Sequence, residues 1–384
     1  MKILFISNGD PFGVGGGAMG SRAFLHAFSE ICNGNIDLVI TKECRPDDKK
    51  IRIHKTYRVD SRSKWQKIIG LATGELHRYT SFVKELLDNN KTNYDLCVLN
   101  NSLLCYTLMP ILKKHSIKTV VIHHNFEREY FRDNITNPFI RSLVVPLYIK
   151  SERRGYLNSD LNLFHSVDDL INCDKYYGKS KGPNKTLGVY EAEEQPNSIV
   201  KQPERKIKSL TYIITGSMNI PQGEDSVKYF LDELYRQIPQ DETIIIAGQG
   251  PRKELIDICN SYKNIQIIPN PSDMNEILSQ GDVYICPTRV GGGLKVRIMD
   301  GLKKGMPVLV HSCSIRGYDV FHEMPFFKEF HDSDSFKKGL DEIRFSLMNN
   351  EYSKEDIINK YNDYFSFDAG LNRITTFLNE AHLL

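Results

Sequence analysis

The chain has 384 residues, 40% of them hydrophobic and 26% charged, with a formal net charge of +2 at pH 7. That length predicts two or three domains with their own cores, and the near-neutral balance excludes a dedicated nucleic-acid binder, which would carry a concentrated basic excess. No run of about 18 apolar residues is present, so no membrane-spanning helix is expected. The start lacks the basic and apolar regions of a signal peptide. The eight cysteines are scattered without C-x-x-C or metal-like spacing. Such usage fits a reducing compartment, and a cytoplasmic protein is expected.

Taken in order, apolar β-rich runs alternate with stretches of helical period. In the first half, 2–7 (KILFIS), 36–41 (IDLVIT), 94–100 (YDLCVLN), 118–124 (TVVIHHN) and 161–166 (LNLFHS) predict strands. Helices are expected near 20–33, 65–89, 102–115 and 138–158. Tyr190 to Lys208 is polar, holds two prolines and lacks periodicity, which reads as a linker. The second half predicts strands at 209–215, 242–247, 265–269, 282–286 and 307–311, with helices near 224–237, 252–262, 273–280 and 294–304. After about residue 333 the pattern is purely helical.

Strands that are apolar throughout and separated by helices imply parallel sheets covered on both faces. The pattern occurs twice. The chain therefore reads as α/β, with two doubly wound Rossmann-like domains over 1–192 and 208–365. A C-terminal helix, 366–384, is expected to pack back on the first domain. Ligands in such sheets bind at the carboxyl ends of strands, at the switch point, and the cleft between the domains is the expected site.

Two glycine clusters stand out. Gly15, Gly17 and Gly20 spell G-x-G-x-x-G after the first strand, and Glu43 follows the second. A dinucleotide fingerprint needs its first glycine directly at the strand end, and about eight residues separate Ser7 from Gly15. The run, including Gly16 and Gly17, instead reads as a loop closing over phosphate or acceptor ahead of a helix N-terminus, with Arg22 adding charge. A glycine loop that merely turns is the alternative. The second cluster is "CPTRVGGGLKVRIMDGLKKGMPVLVHS", Cys286 to Ser312. There Gly291, Gly292 and Gly293 would let backbone approach a ligand, with a helix starting near Leu294. Lys295 and Arg297 in its first turn oppose the helix dipole, which an anionic ligand would explain. Asp300 is placed to accept from ribose hydroxyls. Otherwise the three charges form a solvated face.

This second cluster resembles the donor-binding stretch of family 4 retaining glycosyltransferases, which have the GT-B fold. Their P-x-R-x-G-G-G-x-(R/K)-x-K-I-x-E-A pattern is matched by Pro287, Arg289, Gly291 to Gly293, Lys295, Arg297 and Ile298. Asp300 replaces the second Glu of the family's E-x7-E, and Gly292 stands where the first would be. "TGSMNIPQGEDSVKYFLDELY" resembles the opening of the second domain, with Gly216 and Ser217 near the diphosphate. "IIIAGQGP" resembles the A-G-x-G-P turn through Gly248 and Gly250. "VVIHHNFEREYFRDN" resembles an H-N-x-E-x-E-Y stretch matched by His124, Asn125 and Glu127.

The resemblance implies a glycosyltransferase that moves a sugar from a nucleotide-sugar donor to a glycan or lipid-linked acceptor in cell-surface polysaccharide synthesis. It implies retention of anomeric configuration and no metal or other cofactor, and no D-x-D lies between the strand signals. His124 and Lys295 take the catalytic roles; Gly16, Gly17, Gly216, Ser217, Gly248, Gly250, Arg289, Gly291, Gly292, Gly293, Leu294, Arg297 and Asp300 take the donor. Acceptor recognition is expected in loops 42–64 and 126–137. Glu152, Arg153 and Arg154 read as a solvated helix face. The apolar stripe in "NPFIRSLVVPLYIKSERR" either packs or touches the inner face of a membrane. A GT-B epimerase and a non-catalytic binding protein are the competing readings.

Overall fold

A computed structural model describes residues 1–13, 16–60, 63, 65, 70, 73–89, 93–193, 209–291 and 294–384. The chain divides into two compact units, Met1–Gln195 with Phe365–Leu384, and Pro196–Tyr364.

The first unit is built on strands β1 (Ile3–Ser7), β2 (Ile36–Thr41), β3 (Lys55–Val59), β4 (Leu96–Asn100), β5 (Lys118–His123), β6 (Leu161–Phe164) and β7 (Asn184–Thr186). They lie in the order β3-β2-β1-β4-β5-β6-β7, all parallel. The alternation of β1 shows why both faces are covered. Ile3 and Phe5 join Phe24 and Phe28 of the helix Gly16–Ile31 in one core, with Phe367, Ile374 and Leu378 of the helix Phe367–Glu380. Leu4 and Ile6 face the other way, onto Val83, Leu87, Leu104 and Leu108. A sheet buried on both faces needs apolar residues at every position, and all five residues of β1 are buried.

The second unit repeats the plan with β8 (Thr211–Ser217), β9 (Thr243–Gln249), β10 (Ile265–Pro269), β11 (Val283–Cys286), β12 (Val308–His311) and β13 (Phe327–Phe330), in the order β10-β9-β8-β11-β12-β13. All its pairings are parallel. In each sheet the order reverses beside the first strand, between β1 and β4 and between β8 and β11, so each unit has its own switch point.

Several expectations change. The segment 42–64 contains β3, and 126–137 contains the helix Glu127–Asn134, so neither is simply a loop. β7 and β13 also escaped the apolar-run criterion, being three and four residues long. The helix expected near Leu294 begins at Arg297 and runs only to Leu302, which leaves Lys295 ahead of it. The linker reading falls mostly on 194–208, outside the described residues, as do Gly15, Gly292 and Gly293.

Candidate active site

In the second unit, β8 and β9 stay in register to their ends, Gly216 opposite Gly248 and Ser217 opposite Gln249. A Cβ on Gly248 would stand 1.7 Å from the Gly216 carbonyl oxygen, so the strand ends meet this closely only because that side chain is missing. Gly250, at φ +60°, turns the chain away and donates its amide to Asn270 Oδ1 at 2.8 Å.

Arg297 reaches over this strand end. Its Nη1 donates to the Thr215 carbonyl at 3.3 Å and lies 2.7 Å from where a Gly216 Cβ would be. Lys295 is only 5% exposed, and its Nζ donates to the Gly291 carbonyl at 3.0 Å. Burial, followed by the charge of Arg297, pushes its pKa down to about 8. The Lys295 carbonyl accepts from the fully buried Tyr318 hydroxyl at 2.9 Å, which anchors this stretch of backbone. Gly291 sits at φ +88°, and Leu294 is half-buried. Arg297 thus sets a cation at the β8 strand end and Lys295 a second, on the Gly291 carbonyl, close enough for their charges to interact, a setting suited to an anionic ligand.

Arg289 and Asp300 are engaged within the unit. Arg289 makes a two-pronged contact with Asp225 at 3.2 and 3.1 Å, reaches Glu233 at 3.1 Å, and covers the Tyr229 ring at 4.4 Å. The Asp225 carboxylate raises its pKa. Asp300 pairs with Lys303 at 3.0 Å.

In the first unit the switch point gathers residues that close four apolar strands. Ser7 Oγ donates to the Gly9 carbonyl at 2.9 Å and accepts from Asn100 Nδ2 at 3.0 Å. Asn100 Oδ1 is left as an acceptor, so His124 Nε2 donates to it, at 2.8 Å. Burial lowers the His124 pKa to about 4, which keeps the ring neutral and puts the lone pair on Nδ1. The ring of His165, after β6, lies 4.7 Å from that of His124, and Phe24 packs edge-on against both. Ser7, Asn100 and His165 are members that the motif reading missed; their signal is a polar residue ending an apolar run.

Gly16 and Gly17 open the helix Gly16–Ile31 and are exposed, and Gly20 lies against His165. Arg22 is spent on the preceding turn, donating to the Pro11 and Gly13 carbonyls, both at 3.1 Å.

The solvated reading of Glu152 is overturned. It is fully buried, accepting from the Glu127 amide at 2.8 Å and the Tyr177 hydroxyl at 2.7 Å. Arg154 donates to the Tyr106 carbonyl at 2.6 Å over that residue's ring, and only Arg153 keeps an exposed position. Glu127 is itself 1% exposed and has its carboxyl raised well above the usual range by burial and then by Glu152. In the H-N-x-E stretch, therefore, the acid is a buried prop beneath the helix Glu127–Asn134.

The family model described as "Glycosyl transferases group 1" matches residues 209–341. Among curated proteins, none matches the chain by sequence. Similar solved structures include sucrose-phosphate synthase from Thermosynechococcus elongatus (TM-score 0.69, 12% identity, 99% of each chain covered). Another is the Anabaena protein HepE, solved with UDP (TM-score 0.66, 12% identity, 99% of this chain and 100% of that one) and also with UDP-glucose. A third is the lipopolysaccharide outer core galactosyltransferase WaaB (TM-score 0.65, 14% identity, 99% of each chain). At these identities the likeness is one of fold, which is GT-B.

Proposed function

We propose that this chain, whose residues 209–341 match the group 1 glycosyl transferase model, moves a sugar from a nucleoside-diphosphate donor to a glycan or lipid-linked acceptor. The observation that carries the reading is the pair of cations Arg297, beside the Gly216 strand end, and Lys295, on the Gly291 carbonyl. When the bond from the anomeric carbon to the diphosphate breaks, the leaving group gains negative charge. Two fixed cations, one of them largely buried, stabilise that charge more than they do the intact donor, which lowers the barrier. On this reading they act without a bridging metal, and the departing phosphate accepts the acceptor's proton, with retention at the anomeric carbon. Asp300 receives the ribose hydroxyls by exchanging its contact with Lys303, and neutral His124 offers Nδ1 to a sugar hydroxyl.

The lipid-linked choice of acceptor is supported by the helix Pro138–Asn158. Its first turns expose Phe139 (71%), Ile140 (49%) and Leu143 (57%), and Arg128, Arg132 and Lys150 are exposed on the same stretch of chain. Apolar side chains among cations suit an anionic lipid surface. No helix among the described residues is long and apolar enough to cross a membrane.

A thermal-shift panel of UDP-, GDP-, ADP- and CMP-sugars beside NAD and NADP tests the donor, since a ligand that binds the native state raises the melting temperature. UDP-sugars are expected to stabilise most, by analogy with the HepE complexes. Stabilisation by a dinucleotide alone would reverse the reading. Flotation with anionic vesicles, and its loss in Phe139→Ser with Leu143→Ser, tests the membrane contact.

A further inference from the structure

His123 and His124 are neighbours at the end of β5 and face different surroundings. His124 joins the crevice network, whereas His123 is fully buried and stacks on Phe164 at 4.5 Å. Its tautomer is set by Asn162, whose Nδ2 donates to the Tyr156 carbonyl (2.9 Å) and to Asn184 Oδ1 (3.0 Å). The Asn162 Oδ1 must then accept, and His123 Nε2 donates to it at 2.9 Å. Nδ1 is left with its lone pair, buried and without a hydrogen-bond partner.

A ring nitrogen of His123, a carboxylate oxygen of Glu152 and the sulfur of Cys173 lie within 4.8 Å of one another, and all three residues are 0% exposed. With Nε2 held by Asn162, Nδ1 is the nitrogen available to a ligand bond. A histidine whose second nitrogen donates to a carbonyl-type oxygen has the support that metal-bound histidines usually have. The surroundings also favour a cation. Glu127 and Asp169 add two more buried carboxyls, and among the described residues of this unit no Lys or Arg is buried.

We propose that His123 Nδ1, Glu152 and Cys173 bind a structural divalent metal of the zinc class, which ties β5 to the helices Pro138–Asn158 and Val167–Tyr177. One nitrogen, one oxygen and one sulfur form a borderline donor set suited to zinc. Donor atoms around tetrahedral zinc stand about 3.3–3.8 Å apart, so the triad, within 4.8 Å, draws in around the ion. Binding forms bonds to Nδ1, the carboxylate oxygen and Sγ, and it releases the Cys173 proton, with any proton on Glu152, to solvent. The two anionic ligands balance the dication. The fourth position goes to water or to the second Glu152 oxygen. Because the site is enclosed, the metal loads as the chain folds. It adds to the glycosyl-transfer reading and does not depend on it.

The test is metal content in untagged full-length protein produced in minimal medium supplied with zinc or with cobalt, followed by dialysis against EDTA. About one equivalent of zinc per chain is expected, and the cobalt form should show the near-ultraviolet charge-transfer band of a cobalt–thiolate bond. Cys173→Ser should remove that band and most of the metal, and His123→Asn should lower retention at least tenfold. Wild-type protein that is folded by circular dichroism yet carries neither metal overturns the proposal, whether or not the variants fold. So does a folded Cys173→Ser protein that keeps its zinc.

Discussion

Arg297 occupies the space that a side chain on Gly216 would need: its Nη1 lies 2.7 Å from the position of that absent Cβ. Gly216→Ala must therefore displace the guanidinium, the far end of a flexible side chain, while the strand itself is undisturbed. We expect the donor KM to rise about tenfold, in line with one lost charge-assisted hydrogen bond. The melting temperature should change little. Steady-state kinetics beside calorimetry checks both, and an unchanged KM would remove Arg297 from the donor site.

Lys295→Ala should weaken donor binding by roughly 10- to 150-fold, the range for hydrogen bonds to charged groups. The depressed pKa adds a pH signature. Lys295 is protonated below about pH 8 and loses its charge as pH rises through that value. An anionic donor should thus bind well at neutral pH, and kcat/KM should fall on the alkaline side of about 8. A pH profile of kcat/KM that stays flat to pH 9.5 would count against the assignment.

Gly248→Ala is a contrasting change. Its methyl would meet the Gly216 carbonyl oxygen at 1.7 Å, a backbone atom that cannot swing aside as a side chain can. Either β8 and β9 separate at their ends or the substitution is not accommodated. A loss of about 2–4 kcal/mol in urea unfolding is expected, at the upper end for overpacking. Stability within about 0.5 kcal/mol of wild type would contradict the register.

Asn100→Ala removes the amide between Ser7 and His124 and frees the imidazole to rotate. If Nδ1 of His124 meets a sugar hydroxyl, kcat should fall about 10- to 100-fold with donor KM nearly unchanged. A change confined to KM would assign His124 to ground-state binding instead.

Arg289 is expected to act on the loop rather than on the donor. Its exposed pairing with Asp225 limits the gain, so Arg289→Lys should cost about 1 kcal/mol or less. In a double-mutant cycle Asp225→Asn should add little to Arg289→Ala. Strict additivity in unfolding would show that the two do not act together.

The central strands of both sheets were legible because they are buried, nearly continuous apolar runs, as β1 and β4 are up to their terminal Ser7 and Asn100. Of the edges only β10, an apolar "IQIIP", was read: β3 is nowhere fully buried, and its "KTYRV" carries the mixed pattern of a strand paired on one side. The helix Glu127–Asn134 has no apolar stripe in "EREYFRDN", and it is set instead by Glu127 anchored on Glu152. In the candidate site, glycines and cations announced themselves through local spacing. Contacts between distant positions did not. Arg289 meets Asp225 across 64 positions, and Glu152 is buried by a tyrosine 25 positions later. Without those partners, a charged residue on a helix reads as surface.

The helix Phe367–Glu380 completes the core around β1, with Gly370 so close to Tyr190 that a Cβ would stand 2.1 Å from its ring. This arrangement has a consequence during synthesis. A ribosome that has finished the strands of the first unit has not yet made Phe367, Ile374 and Leu378, which complete their core, and it must translate the whole of Pro196–Tyr364 first. The core around β1 is therefore completed only when the helix Phe367–Glu380 emerges, after the second unit has been made.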